Sequence, residues 1–120
     1  MNKKIGKITN RVIDILKLNY KEEKPIFIGP ANINHIREEH PNDYKKYGCE
    51  IYDIINSPTY LARNEKKKSI EFIKEYKIEN EYVLVVVRVS NNDVHFVRTM
   101  YVMAEEKVKK YKEHNYFYKF

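Results

Sequence analysis

Apolar residues recur at Ile8, Val12, Ile15, Leu16 and Leu18, the three- and four-residue spacing of one helical face. Thr9 or Asn10 stands where an N-cap belongs. After the charged link Lys21-Glu22-Glu23-Lys24, Pro25 to Gly29 reads as a short strand closed by Gly29-Pro30. A second helix is predicted from Pro30, with Asn32 or Asn34 as cap, and Pro41 closes it because a residue before proline is pushed out of helical geometry. Asp43 opens a third helix through Asn56, striped by Ile51, Ile54 and Ile55 and ended by Ser57-Pro58. Strands follow at Thr59 to Arg63, Ser69 to Lys77, Glu81 to Val89 and Val94 to Met103. Asn91-Asn92-Asp93 is the turn between the last two. Ala104 to Glu113 is a short amphipathic helix. Early helices followed by an antiparallel meander make the α+β pattern.

Strand periodicity assigns faces. Val83, Val85, Val87 and Val89 share the face expected to pack on helices. Tyr82, Leu84, Val86 and Arg88 share the other, which ends in a charge suited to a cleft. In the last strand Val94, Phe96, Met100 and Val102 are apolar, with Arg98 among them. Strict alternation puts His95, Val97, Thr99, Tyr101 and Met103 opposite.

At 120 residues, with 42% hydrophobic side chains, the chain suffices for one domain, over residues 1–120, with one core. The net charge of +6 favours a polyanion, RNA above all, or an acidic protein partner. Eleven tyrosines suit packing edges and binding surfaces alike. Cys49 is the single cysteine, so no internal disulfide forms. The N-terminus carries no signal-peptide pattern and the longest apolar run, Tyr82 to Val87, is far short of a membrane span. The cytoplasm is the expected compartment, with delivery into another cell open.

Several chemistries find no support. HisGluxxHis and GlyxSerxGly are absent, no cysteine pair offers zinc ligands, and the three glycines build no phosphate loop. Cys49 lacks the context of a nucleophile. His35 and His40 are five residues apart, which separates them on a helix. His40 stands at a helix end, free to project. Thr99 and Tyr101 put two hydroxyls on one strand face, within reach of a phosphate, although cross-strand packing uses the same pair.

The ordered set ProIlePheIleGly, HisIleArgGluGluHisPro, IleTyrAspIleIleAsnSerPro, TyrLeuAla, ValLeuValValVal and ValArgThrMetTyr, over about residues 25–103, resembles the phage-associated barnase–EndoU–colicin–RelE-like nucleases. The resemblance implies N-terminal helices packed on a four- or five-stranded antiparallel sheet, with a short C-terminal helix after it. It implies an RNase, often a toxin, that works without a metal or other cofactor and binds RNA across the sheet. Its helix-end histidine matches His40, and its hydroxyl-bearing last strand matches Thr99 and Tyr101. His35 is a second catalytic candidate, and Lys74 and Arg88 are candidates for binding substrate. Such an enzyme cuts RNA by 2′-hydroxyl attack to a 2′,3′-cyclic phosphate, and an imidazole serves as acid or base. Its partners would be RNA and an acidic antitoxin or immunity protein. A non-catalytic RNA-binding module and a protein-interaction domain are the competing readings.

Overall fold

The computed structural model describes residues 1–90 and 93–120. The elements in order are β1 (Lys3–Ile8), α1 (Asn10–Leu16), β2 (Lys24–Ile28), α2 (Pro30–Glu39), α3 (Pro41–Tyr47), a 3-10 turn (Gly48–Glu50), α4 (Ile51–Asn56), β3 (Tyr60–Asn64), β4 (Ser69–Tyr76), β5 (Glu81–Val89), β6 (His95–Val102), α5 (Glu105–Glu113) and β7 (Tyr118–Lys119).

The class is α+β, but the sheet corrects the expected architecture. It has seven strands in the order β1-β2-β6-β5-β4-β3-β7, and β2 runs parallel to β6. N-terminal helices on a four- or five-stranded antiparallel sheet do not describe it. The chain begins with a strand, and the helices lie mainly in the middle of the sequence. The central meander β3–β6 is antiparallel as expected. The extra strands are those with the weakest patterns. β1 reads Lys-Lys-Ile-Gly-Lys-Ile, without a two-residue period, and β7 has two residues. Gly6 is required by a close approach, because a Cβ there would meet Ile55 Cγ2 of α4 at 2.8 Å.

Local chemistry explains the helix ends. Thr9 Oγ1 accepts from the Val12 N–H at 3.2 Å and caps α1. In α2 the N-cap is Gly29, whose N–H donates to Asn32 Oδ1 at 2.8 Å, and Pro30 takes the first helical position. Pro41 closes α2 and also opens α3, with His40 as the hinge between them. The single helix expected over residues 43–56 is instead α3, a 3-10 turn and α4. Gly48 sits at the break, under the Tyr44 ring.

The sheet buries both faces. On the first, Leu61, Ile70, Phe72, Val83, Val85, Val87, Val97 and Met100 pack against the apolar stripes of α1 to α4. On the second, Ala62, Ile73, Leu84, Val86 and Met103 take Val108 and Tyr111 of α5, with Tyr60, Tyr82 and Phe117. The face division read from β5 is the observed one.

The division read from β6 holds only in part. Val86 is opposite Thr99 while Val87 is opposite Val97, so Arg98 is an extra residue, a β-bulge. Before the bulge Val97 packs into the helix-covered core, and His95 meets Tyr20 of the same side. After it Met100 and Val102 do so. Thr99, Tyr101 and Met103 keep their common face, but His95 and Val97 do not share it. The turn expected at Asn91-Asn92-Asp93 lies, for Asn91 and Asn92, outside the described residues. Among the described residues no helix is long and apolar enough to cross a membrane.

Candidate active site

Alpha helix α5 covers one end of the second sheet face and leaves the middle open toward α2. The result is a cleft of about 970 Å³. Its floor is set by strand register. Ala62, Glu71, Val86 and Thr99 form one cross-strand row on β3, β4, β5 and β6. Arg88 stands two residues beyond Val86 and is therefore the diagonal neighbour of Glu71 on the same face. Glu71 and Thr99 are two strand spacings apart, about 10 Å. A carboxylate, a guanidinium and a hydroxyl thus share the floor of one cleft.

Burial sharpens their chemistry. Glu71 is only 5% exposed. Its Oε1 accepts from the Tyr111 hydroxyl of α5 at 2.7 Å. Burial first, and the carboxylate bond second, hold the Tyr111 phenol well above its usual range, so it stays a donor. Arg88 Nε and Thr99 Oγ1 are both buried without a hydrogen-bond partner among the described residues. A buried unpaired donor or acceptor costs about 1–3 kcal/mol. Two such groups facing one cleft beside a buried carboxylate suit a ligand that satisfies them.

The bulge supplies the next group. It turns Arg98 toward α2, where Nη1 lies 2.9 Å from His35 Nε2. Glu39 Oε1 lies 2.9 Å from the same nitrogen. A guanidinium only donates and a carboxylate only accepts, so Nε2 serves Arg98 as a bare lone pair and Glu39 as an N–H. The two contacts are alternatives, decided by which ring nitrogen of His35 carries the hydrogen. Around the rim cations outnumber acids: Arg63, Lys66, Lys67, Arg98, Lys107 and Lys110 stand with Arg88, against Glu39, Glu65, Glu71 and Glu106.

The structure brings four of the residues singled out from the sequence into this cleft: His35, Arg88, Thr99 and Tyr101. His40 lies at its edge, its ring 5.0 Å from that of Tyr101 and tilted 32°. It lines an adjoining shallow pocket with Pro41 and Asp43. Tyr101 accepts a hydrogen bond from Lys107 Nζ. Lys74 is not brought together with them. It is opposite Val83, on the helix-covered face, with Phe72 and Tyr76 as its same-side neighbours along β4.

Sequence reading missed Glu71, Tyr111, Lys107 and Arg98 as site residues. Glu71 was legible in principle. The alternation around Ile70 and Phe72 puts Glu71 beside Ile73 on the second face, and an apolar Ile73 there implies that this face is covered too. Val108 and Tyr111, three apart on an amphipathic helix, supply the cover. Arg98 could not be placed without the bulge.

No curated protein and no solved structure matches the chain. The model of the family described as phage-Barnase-EndoU-ColicinE5/D-RelE like nuclease3 matches residues 3–110, which include strands β1 to β6, α2 and most of α5. The matched span contains every cleft residue named above except Tyr111, in agreement with the resemblance read from the ordered sequence motifs, and the chain belongs to this nuclease family.

Proposed function

We propose that the chain is a toxin-like endoribonuclease that cuts RNA in this cleft, by attack of the 2′-hydroxyl on the adjoining phosphate and without a metal. The observation that carries the reading is the buried Glu71 carboxylate with Arg88 Nε and Thr99 Oγ1, which have no hydrogen-bond partner among the described residues, on the same floor. Glu71 takes the proton of the 2′-hydroxyl as the O2′–P bond forms. His35 gives its Nε2 proton to the leaving 5′-oxygen as the P–O5′ bond breaks. The products are a 2′,3′-cyclic phosphate and a free 5′-hydroxyl. Arg88 and Lys107 stabilise the charge that builds on the equatorial oxygens, and Thr99 donates to one of them. Tyr101 holds the substrate, and His40 fixes the Tyr101 ring by packing on it. Lys74 has no part, since it faces away.

The rim cations suit an RNA backbone, and an acidic antitoxin or immunity protein would meet the same charges. The test is incubation of a single-stranded RNA with the purified protein in EDTA, beside Arg88→Met and His35→Asn. Cyclic-phosphate ends from the native protein, and their loss in both variants, are expected. Fragments with 5′-phosphate ends, or cleavage only with added divalent metal, would overturn the mechanism. RNA that binds with steep salt dependence and stays intact would identify a binding module instead.

A further inference from the structure

Residues 111–120 lie beyond the span matched to the family, yet they build one wall of the cleft. Helix α5 ends at Glu113 with His114 as its C-cap, and Asn115 adopts a left-handed φ of 55°, which folds the tail back toward the sheet. The Tyr116 N–H then donates to the Tyr111 carbonyl at 2.8 Å. This pins the Tyr116 ring edge-on to Tyr111, with centroids 5.6 Å apart at 87°. One face of the ring stacks on His114 at 5.3 Å and 18°. The side chain nevertheless remains 45% exposed and lines the cleft. Tyr111, its edge-on neighbour, is the residue whose hydroxyl holds Glu71.

We propose that Tyr116 is a stacking platform for one unpaired nucleobase, so that the cleft selects single-stranded over duplex RNA. The proposal deepens the nuclease reading above and rests on it. A half-exposed ring held rigidly on two sides presents an aromatic surface that has already lost its conformational freedom. A base stacked there loses no partner if it comes from a single strand. In a duplex its faces are already occupied by neighbouring bases. Base–aromatic stacking tolerates any base, because every base has a π-face. Lys66 and Lys67 on the β3–β4 turn, and Lys110 on α5, line the same cleft and suit the phosphates that flank such a base. Tyr111 links platform and carboxylate, so the stacked base belongs to a nucleotide next to the bond that is cut.

The chain has no tryptophan, so Tyr116→Trp installs a single fluorescent reporter. The ligand is a short 2′-O-methyl RNA, which cannot supply the attacking hydroxyl and therefore binds without being cut. Single-stranded oligomer should quench the reporter, and a duplex of the same length should not. Tyr116→Ala should weaken single-strand binding about tenfold while Tyr116→Phe retains it. An oligomer with an abasic position at the stacked nucleotide should show the same loss, and Tyr116→Ala should add nothing to it. Unchanged affinity in Tyr116→Ala, no quenching by an oligomer that binds, equal binding of duplex, or no binding of either RNA overturns the proposal. Its failure is distinguishable from that of the nuclease reading. Tyr116-dependent binding with uncut natural RNA removes the enzyme and keeps the platform, whereas cleavage indifferent to Tyr116 does the reverse.

Discussion

Replacing Glu71 by Gln removes one property of the site and leaves the others. Both side chains have the same length, and the amide oxygen can still accept from the Tyr111 hydroxyl, which lies 2.7 Å from Glu71 Oε1. The amide cannot take a proton from a 2′-hydroxyl. A positioned general base contributes about 10²–10⁴-fold in rate, or about 3–5 kcal/mol of barrier. Stability moves differently. The bond from Tyr111 becomes neutral and weakens by about 1 kcal/mol. Against this, a carboxylate that is 5% exposed, with Ala62 and Val86 as its cross-strand neighbours, no longer has to be kept from water, which relieves a penalty of several kcal/mol per ion. The melting temperature of Glu71→Gln should therefore stay level or rise, by about 3–6 °C for each kcal/mol gained in a chain of this size. The assay is single-turnover cleavage of a labelled RNA in EDTA, with thermal melting followed by circular dichroism. A variant that cleaves within threefold of the native protein refutes Glu71 as the base. A variant that loses activity together with its fold refutes the claim that Glu71 is held there against stability.

The remaining predictions concern the neighbours. Arg88→Met should lower cleavage about 10²–10³-fold, as loss of a single transition-state donor does, and reduce the salt slope of RNA binding by about one; filter binding across a salt series reads the second effect. His35→Asn should cost more activity than His40→Ala, because His35 faces the cleft and His40 acts only through Tyr101; equal losses, or the reverse order, in the same cleavage assay would reassign the acid. His95 is 1% exposed, and its Nε2 bonds the Tyr20 hydroxyl at 2.8 Å. Burial lowers its pKa, outweighing the opposing pull of Asp93, with a smaller lowering from Lys24. The unfolded chain therefore binds this proton first, at about pH 6.5. The stability His95 contributes is complete above that pH and is lost as pH falls toward the lower folded value. Melting temperature against pH should fall below about 6.5, and His95→Gln should flatten the fall; parallel curves for the two proteins would show that His95 does not titrate on unfolding.

How much was legible depended on whether a pattern was complete within its own segment. The valines of β5 alternate without interruption, so the sequence predicted both the strand and its two faces, and Arg88 was placed toward a cleft correctly. The helix-end geometry of His40 before Pro41 was equally local. β1 and β7 were invisible for the opposite reason. Five lysine and isoleucine positions around Gly6 make no strand by themselves, and a two-residue strand has no period at all. Both exist because a neighbouring edge, of β2 or β3, offers them hydrogen bonds. Lys74 entered as a substrate-binding candidate with the family resemblance, whereas the alternation that places Phe72 in the core puts Lys74 on the face away from the cleft.

The bulge at Arg98 shows why the site itself was harder to read than the fold. One inserted residue in β6 lets Val97 and Met100 both enter the helix-covered core, which a strict two-residue period forbids. The same insertion turns Arg98 out of the sheet toward His35 and leaves Thr99 and Tyr101 over the second face. Without it, either Val97 or Met100 would lie on the cleft floor, and the row that joins Glu71, Val86 and Thr99 would be out of register. Core packing and catalytic geometry are therefore set by one irregularity, and deletion of Arg98 should disrupt both together. Arg98→Ala, which keeps the extra residue and removes only the guanidinium, should preserve the melting temperature and slow cleavage by removing the contact that positions His35. If Arg98→Ala melts like the native protein and cleaves at the native rate, the bulge serves packing alone, and the contact between Arg98 and His35 has no part in the chemistry.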